Sequence, residues 1–175
     1  MHKNHVLLIG SGADLNGRRL GSNIDAGHFG LIARCNYMYG DPRDIGHRTD
    51  FLFTRRSGWL SQIPPGIRYS LRECVIINEG KGIHGDELAI TAQEAGVERP
   101  SCGLIAAAWL LRRGYRVSAI GFGFSGGKFA AEKRYPSTAD SEGKQAQHLK
   151  GRTDTNPNYN WQAENKWLSR NVSLL

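Results

Sequence analysis

Val6 to Thr54, VLLIGSGADLNGRRLGSNIDAGHFGLIARCNYMYGDPRDIGHRTDFLFT, decides the fold. Its first apolar run, Val6-Leu7-Leu8-Ile9, stops at Gly10-Ser11-Gly12. A short apolar run closed by a glycine turn reads as a buried parallel strand that hands over to a helix. Glycines let backbone amides come close to a ligand, and a helix opening there aims its free N–H groups at the same point. A second run, Leu31-Ile32-Ala33, ends at Arg34-Cys35-Asn36, and a third, Phe51-Leu52-Phe53, follows Asp44-Ile45-Gly46-His47-Arg48-Thr49. Three such strands predict an α/β fold: a Rossmann-like domain with a mainly parallel sheet, helices on its faces and a ligand at the strand carboxyl ends.

Outward from that stretch, Arg55 to Gly66 is a turn-rich connection containing Trp59 and Pro64-Pro65. Cys74-Val75-Ile76-Ile77-Asn78 reads as a fourth buried strand, followed by a glycine-rich loop, Glu79 to Gly85, that contains Lys81 and His84. Asp86 to Ala95 has helical composition and is closed by Gly96. Pro100-Ser101-Cys102-Gly103 then precedes the apolar Leu104 to Leu111, with Ser101 as the expected N-cap and Arg112-Arg113-Gly114 as the helix end. Val117 to Phe122 reads as a fifth strand. Phe124 to Asn158 is polar and has little hydrophobic period, which predicts a mobile loop or lid. Helical periodicity returns over Asn160 to Leu175, where Trp161 and Trp167 are expected core contacts.

The 175 residues are expected to form one domain, 1–175, with an ordinary apolar content of 39%. No run approaches the ~20 apolar residues that span a bilayer. The amino terminus leads straight into a strand, so no signal peptide is expected and the reading is cytoplasmic. Cys35, Cys74 and Cys102 form no metal-type pair. A net charge of +7 suits anionic partners: nucleotide sugars, acidic glycans, lipid headgroups or nucleic acid. No long Lys/Arg run singles out nucleic acid.

Two stretches resemble the motifs of the animal-type sialyltransferases, glycosyltransferase family 29. Gly10-Ser11-Gly12-Ala13-Asp14-Leu15, Ile24-Asp25, Phe29, Arg34-Cys35-Asn36 and Asp44-Ile45-Gly46-His47-Arg48-Thr49 follow the family's large sialyl motif in order and near its spacing, with Ser11 where the family has asparagine. Pro100-Ser101-Cys102-Gly103, an apolar helix and a strand ending in Gly121-Phe122 resemble the small motif. The resemblance implies a sialyltransferase-type variant of the GT-A fold and inverting transfer from a CMP-sugar, the sugar being sialic acid or a related acid sugar. It implies a hydroxyl-bearing acceptor: a glycan, a lipid or a nucleic acid. Family members of animals carry a membrane anchor, a stem and a disulfide between the motifs. With neither anchor nor stem expected, the chain looks like a short soluble core of bacterial or phage type, and the disulfide positions, Val6 and Gly114 here, fit a reducing cytoplasm.

Sugar transfer must hold the leaving phosphate, deprotonate the acceptor hydroxyl and stabilise an oxocarbenium-like centre. The sequence has no Asp-x-Asp and no histidine/carboxylate cluster with metal spacing, so no metal and no cofactor beyond the donor is expected. The expected nucleotide contacts are Gly10, Ser11, Gly12, Asp14 and Asn36, whose amide both donates and accepts. By resemblance, Ser101, Cys102 and Gly103 contact the donor sugar and phosphate. Arg48 either pairs with Asp44 or meets an anion. The family places a histidine five residues before a late glutamate; the glutamate matches Glu164, but Tyr159 holds the histidine's place. Tyrosine, with a pKa of ~10, needs strong activation to act as a base. His148 and Tyr159 are therefore the catalytic candidates, with His84 a further histidine nearby.

Two other functions fit the same residues. A nucleotide-binding protein that has lost catalysis would keep the pocket without turnover. A phage-type enzyme that decorates nucleic acid would account for the charge. A dinucleotide dehydrogenase fits less well, because the third glycine of G-x-G-x-x-G would be Leu15.

Overall fold

The structure is a computed structural model and describes residues 4–10, 13–15, 17–35, 42–54, 71–77, 85–122 and 160–175. Six strands form one sheet: β1 His5–Ile9, β2 Leu31–Cys35, β3 Phe51–Thr54, β4 Glu73–Ile76, β5 Arg116–Ile120 and β6 Ser173–Leu174. Their order is β4-β3-β2-β1-β5-β6, and every pairing is parallel. The expected α/β sheet is thus wholly parallel, with the strand order reversing between β1 and β5.

Strand alternation divides the core in two. On one face Val6, Leu8, Leu31, Ala33, Phe51, Phe53 and Val75 pack with Leu104 to Ala107, Trp109 and Leu110. On the other, Leu7, Ile9 and Ile32 pack with Leu15, Ile24 and Ile45. The first face takes the long helices: α3 Gly85–Ala95, α4 Cys102–Arg112 and α5 Trp161–Asn171. Trp109 of α4 is fully buried, edge-on to Phe51 and Phe53 with ring centroids 6.1 and 5.3 Å away. Arg112 ties α4 to α3 through Glu87 and Glu94. The second face takes only two short helices, α1 Gly21–Asp25 and α2 Pro42–Ile45.

Several boundaries follow the sequence reading. Ser101 caps α4, its side chain accepting from Leu104 N at 3.2 Å. Gly96, at φ +65°, and Gly114, at φ +79°, follow the ends of α3 and α4, where a left-handed residue lets the chain leave a helix. The expected helix at the glycine turn is instead a single 3₁₀ turn, Ala13–Leu15, and the α-helix waits until Gly21. Left-handed Gly17 and Arg19, at φ +80° and +53°, prevent a continuous helix between them. The last helix stops at Asn171, because Ser173 and Leu174 instead pair with Ser118 and Ala119. Trp167 packs half-buried against the core as expected. The polar 124–158 segment lies outside the described residues.

Among the described residues no helix is long and apolar enough to cross a membrane. Val6 and Gly114 bracket neighbouring chain segments: Val6 pairs with Val117, three residues beyond Gly114. The described cysteines are all free thiols.

Candidate functional site

Parallel strands bring their carboxyl ends to one edge of the sheet, and the strand order reverses between β1 and β5, the point at which open α/β sheets take ligands in a crevice. Gly10 N donates to Ile120 O at 2.8 Å, so the turn after β1 is stitched to the end of β5. Asp14 adds a second stitch: its Oδ2 accepts from Gly121 N at 3.1 Å. Asp14 also receives Arg18 Nε on its backbone oxygen at 2.9 Å. The Asp14 carboxylate thus fixes the turn, a role that its selection as a nucleotide contact did not anticipate.

Phe122 joins the two motif-bearing turns, and the sequence reading passed over its role. A Cβ at Gly10 would lie 2.9 Å from Phe122 Cε2 and would also strike Gly121 O. A Cβ at Gly103 would strike Phe122 Cε1. One ring therefore fills the space left by two glycines 93 positions apart in sequence. The signal was in the sequence as three separated features, Gly10, Gly103 and the Gly121-Phe122 strand end, and nothing in their spacing tells that they meet.

α4 ends beside the start of β5, whose Arg116 N donates to Asn4 O at 2.8 Å, so its N-terminus lies at the carboxyl edge. Ser101, Cys102 and Gly103 are thereby brought next to the turn after β1. Cys102 turns its thiol inward: Sγ reaches Phe53 O at 3.5 Å. Its hydrogen bond to Cys35, with burial, pushes the Cys35 thiol well above the ordinary value. What Cys102 offers a ligand is therefore its backbone, at the positive end of an eleven-residue helix.

α5 is tied to the same turn. Asn160 caps it, with Oδ1 accepting from Ala163 N at 3.1 Å. Fully buried Glu164 accepts from Ser101 N through Oε1 at 2.7 Å. The glutamate matched to the family's late motif thus holds the small-motif turn. Tyr159 immediately precedes Asn160 in sequence and lies outside the described residues, as do Ser11, Gly12, Asn36, His84 and His148.

The remaining motif residues form a scaffold. Arg34, 2% exposed, donates through Nε to Thr49 Oγ1 at 2.9 Å and Arg48 O at 3.1 Å. Its Nη2 reaches Ile45 O at 2.7 Å, Arg48 O at 2.9 Å and Gly46 O at 3.2 Å. Asp25 Oδ1 accepts from His47 N and Arg48 N, each at 2.7 Å. Asp50 Oδ2 accepts from Ile32 N at 2.8 Å. The expected Arg48–Asp44 pairing is corrected: Arg48 Nε pairs with Asp50 Oδ2 at 3.2 Å. Asp44 is already engaged, its Oδ2 accepting from Gly17 N and its Oδ1 from Arg19 N, both at 2.9 Å.

Strand polarity also sorts the histidines. His5 opens β1 and bonds Ser118 Oγ through Nε2 at 2.9 Å. His28 precedes β2, and His47 is held by Asp25 at the end of α1. All three stand toward the amino-terminal edge, across the sheet from the crevice. No described histidine lies at the carboxyl edge, where the small-motif turn is.

No family model matches the sequence, and no curated protein matches it. Among solved structures the chain is similar to a mammalian sialyltransferase in complex with Gal-beta-1-3GalNAc-ortho-nitrophenol. The superposition has a TM-score of 0.52 at 12% identity and covers 97% of this chain and 68% of that one. The fold of this chain is therefore sialyltransferase-like.

Proposed function

We propose that the chain belongs to glycosyltransferase family 29 and is a metal-independent transferase that moves an acid sugar from a CMP-sugar to an acceptor hydroxyl. The observation that carries this reading is the meeting of three turns at the crevice: Gly10 after β1, Gly121-Phe122 after β5 and Ser101-Cys102-Gly103 at the α4 N-terminus. That arrangement presents helix-end amides to an anion, the demand that a leaving nucleotide phosphate makes. The likeness to a sialyltransferase structure supports the same assignment.

In the proposed reaction the acceptor oxygen attacks the anomeric carbon. Its C–O bond forms as the bond from that carbon to the phosphate oxygen breaks. The nucleotide leaves with the electron pair, and the acceptor proton passes to a base. His148 and Tyr159 are the base candidates. Tyr159 is proposed from its place in the sequence, directly before Asn160, the cap of α5. Gly10, Ser11, Gly12 and Asn36 are proposed on the nucleotide and the backbone amides of Cys102 and Gly103 on the phosphate, Ser101 N being held by Glu164. Asp14 acts by holding the turn. The acceptor is a glycan or another hydroxyl-bearing molecule.

A second reading, a nucleotide-binding protein without turnover, is favoured by one observation: the described histidines stand toward the opposite edge of the sheet. Thermal stabilisation by cytidine, uridine, guanosine and adenosine mono- and diphosphates, with and without magnesium, tests the site. A selective, magnesium-independent shift with CMP is expected. No shift with any nucleotide overturns both readings. Donor turnover then separates them: release of CMP from a CMP-sugar, lost on Tyr159→Phe or His148→Ala, marks the enzyme.

A further inference from the structure

The loop between the 3₁₀ turn and α1 carries Arg18 and Arg19, which no part of the proposed mechanism uses. Arg18 Nε on Asp14 O ties it to the turn after β1, which the Asp14 carboxylate fixes to Gly121 at the carboxyl end of β5. Three hydrogen bonds to one residue hold it there: Asp44 accepts from Gly17 N and Arg19 N through its carboxylate, and from Leu20 N through its backbone oxygen at 3.2 Å. Arg19 is the one described non-glycine residue with positive φ, at +53°. An L-residue adopts that conformation at a cost, and glycine would adopt it freely. The loop has glycine on either side, at 17 and 21, yet an arginine occupies the left-handed position. Such strain persists where the surroundings fix it, as Asp44 does here.

The two arginines are not equivalent. Arg18 is folded back, with Nε on Asp14 O at 2.9 Å and Nη2 4.0 Å from Asp14 Oδ2. Arg19 is exposed, and its guanidinium has no hydrogen-bond or ion-pair partner among the described residues. Asp14 and Asp44, the described carboxylates that this loop touches, are both engaged by backbone amides. The loop thus keeps an unneutralised guanidinium on a clamped backbone at the rim.

We propose that Arg19 is a specificity-determining residue that reads an oxyanion of the ligand, either the nucleotide phosphate or the carboxylate of an acid sugar. The guanidinium fork matches both groups. This assignment rests on the proposed function and gives its crevice a charged rim.

Calorimetry on the full chain tests it, with cytidine, CMP and CMP-sialic acid as probes of wild type, Arg19→Gly and Arg19→Lys. Arg19→Gly should bind cytidine as wild type does and lose about 10–100-fold at the first ligand that carries the recognised oxyanion. A loss that begins at CMP assigns the phosphate; one confined to CMP-sialic acid assigns the carboxylate. Arg19→Lys should retain part of the affinity through its charge. Because glycine accepts the left-handed backbone, the melting temperature of Arg19→Gly should match wild type or rise by about 2–4 °C. Wild-type affinity for all three ligands, or an equal loss with cytidine, overturns the assignment, and so does a fall in melting temperature. If wild type itself binds none of the three, the proposed function fails and takes this assignment with it.

Discussion

Gly103→Ala is a local test of how the two motif turns meet. The added methyl would strike Phe122 Cε1. Overpacking a filled site costs about 1–3 kcal/mol, and alanine's better helix propensity returns up to about 1 kcal/mol in α4. The net loss expected is about 1–2 kcal/mol. At about 2–4 °C per kcal/mol for a domain of this size, the melting temperature should fall by about 2–8 °C. Gly10→Ala meets a different obstacle. Its Cβ would strike the backbone oxygen of Gly121 as well as lying 2.9 Å from Phe122 Cε2. A ring can be trimmed, but that carbonyl cannot. Phe122→Leu should therefore rescue Gly103→Ala in a double-mutant cycle by about 1 kcal/mol and leave Gly10→Ala unrescued. Chemical denaturation of the four proteins in each cycle measures both couplings. Additive losses at Gly103, or equal rescue at Gly10, would refute the packing described for Phe122.

Other perturbations address the remaining links. Glu164→Ala removes the acceptor of a 2.7 Å bond from Ser101 N, at about 1–3 kcal/mol for a buried donor left unpaired, and Glu164→Gln should restore much of the stability. Differential scanning calorimetry reads the order, and equal melting temperatures for all three proteins would exclude the bond as a support of that turn. Trp109→Ala should cost about 3–5 kcal/mol, because the side chain is fully buried against Phe51 and Phe53; a loss below about 1 kcal/mol in denaturant titration contradicts the core. Alkylation followed by mass mapping should modify half-exposed Cys74 before Cys35, whose thiol is pushed up by Cys102 and by burial and so holds less thiolate at any pH. Earlier labelling of Cys35 would place that thiol outside the core.

The first five strands were legible because each is a short apolar run closed by glycine or polar residues. The helix ends were legible because Ser101, Gly96 and Gly114 each have a local reason to stand where they do. What could not be read depended on partners far apart in the chain. Asp44 and Arg48 stand four residues apart and looked like a pair. The fold instead sends Asp44 to Gly17 and Arg19 and gives Arg48 to Asp50. The 3₁₀ turn escaped notice for a related reason: a glycine turn after a strand usually opens a helix, but here left-handed residues at 17 and 19 intervene. β6 is two residues long, and its pairing is set by β5 rather than by its own pattern.

The division of labour among the motif residues bears on how the function must be tested. Asp25, Arg34, Asp44, Arg48 and Thr49 carry much of the resemblance, and each is engaged with backbone or with another motif residue. Replacing any of them would impair binding through folding, so such a loss identifies no ligand contact. Informative substitutions are those at groups the scaffold leaves free. Gly10 and Gly103 fail that criterion because Phe122 needs their space. Arg19 meets it, as its fold-related bond is made by its backbone alone. For the proton acceptor, strand polarity narrows the choice, since His5, His28 and His47 stand toward the wrong edge. The described residues thus supply no histidine at the small-motif turn, and the proposed base candidates are those read from the sequence, Tyr159, His148 and His84.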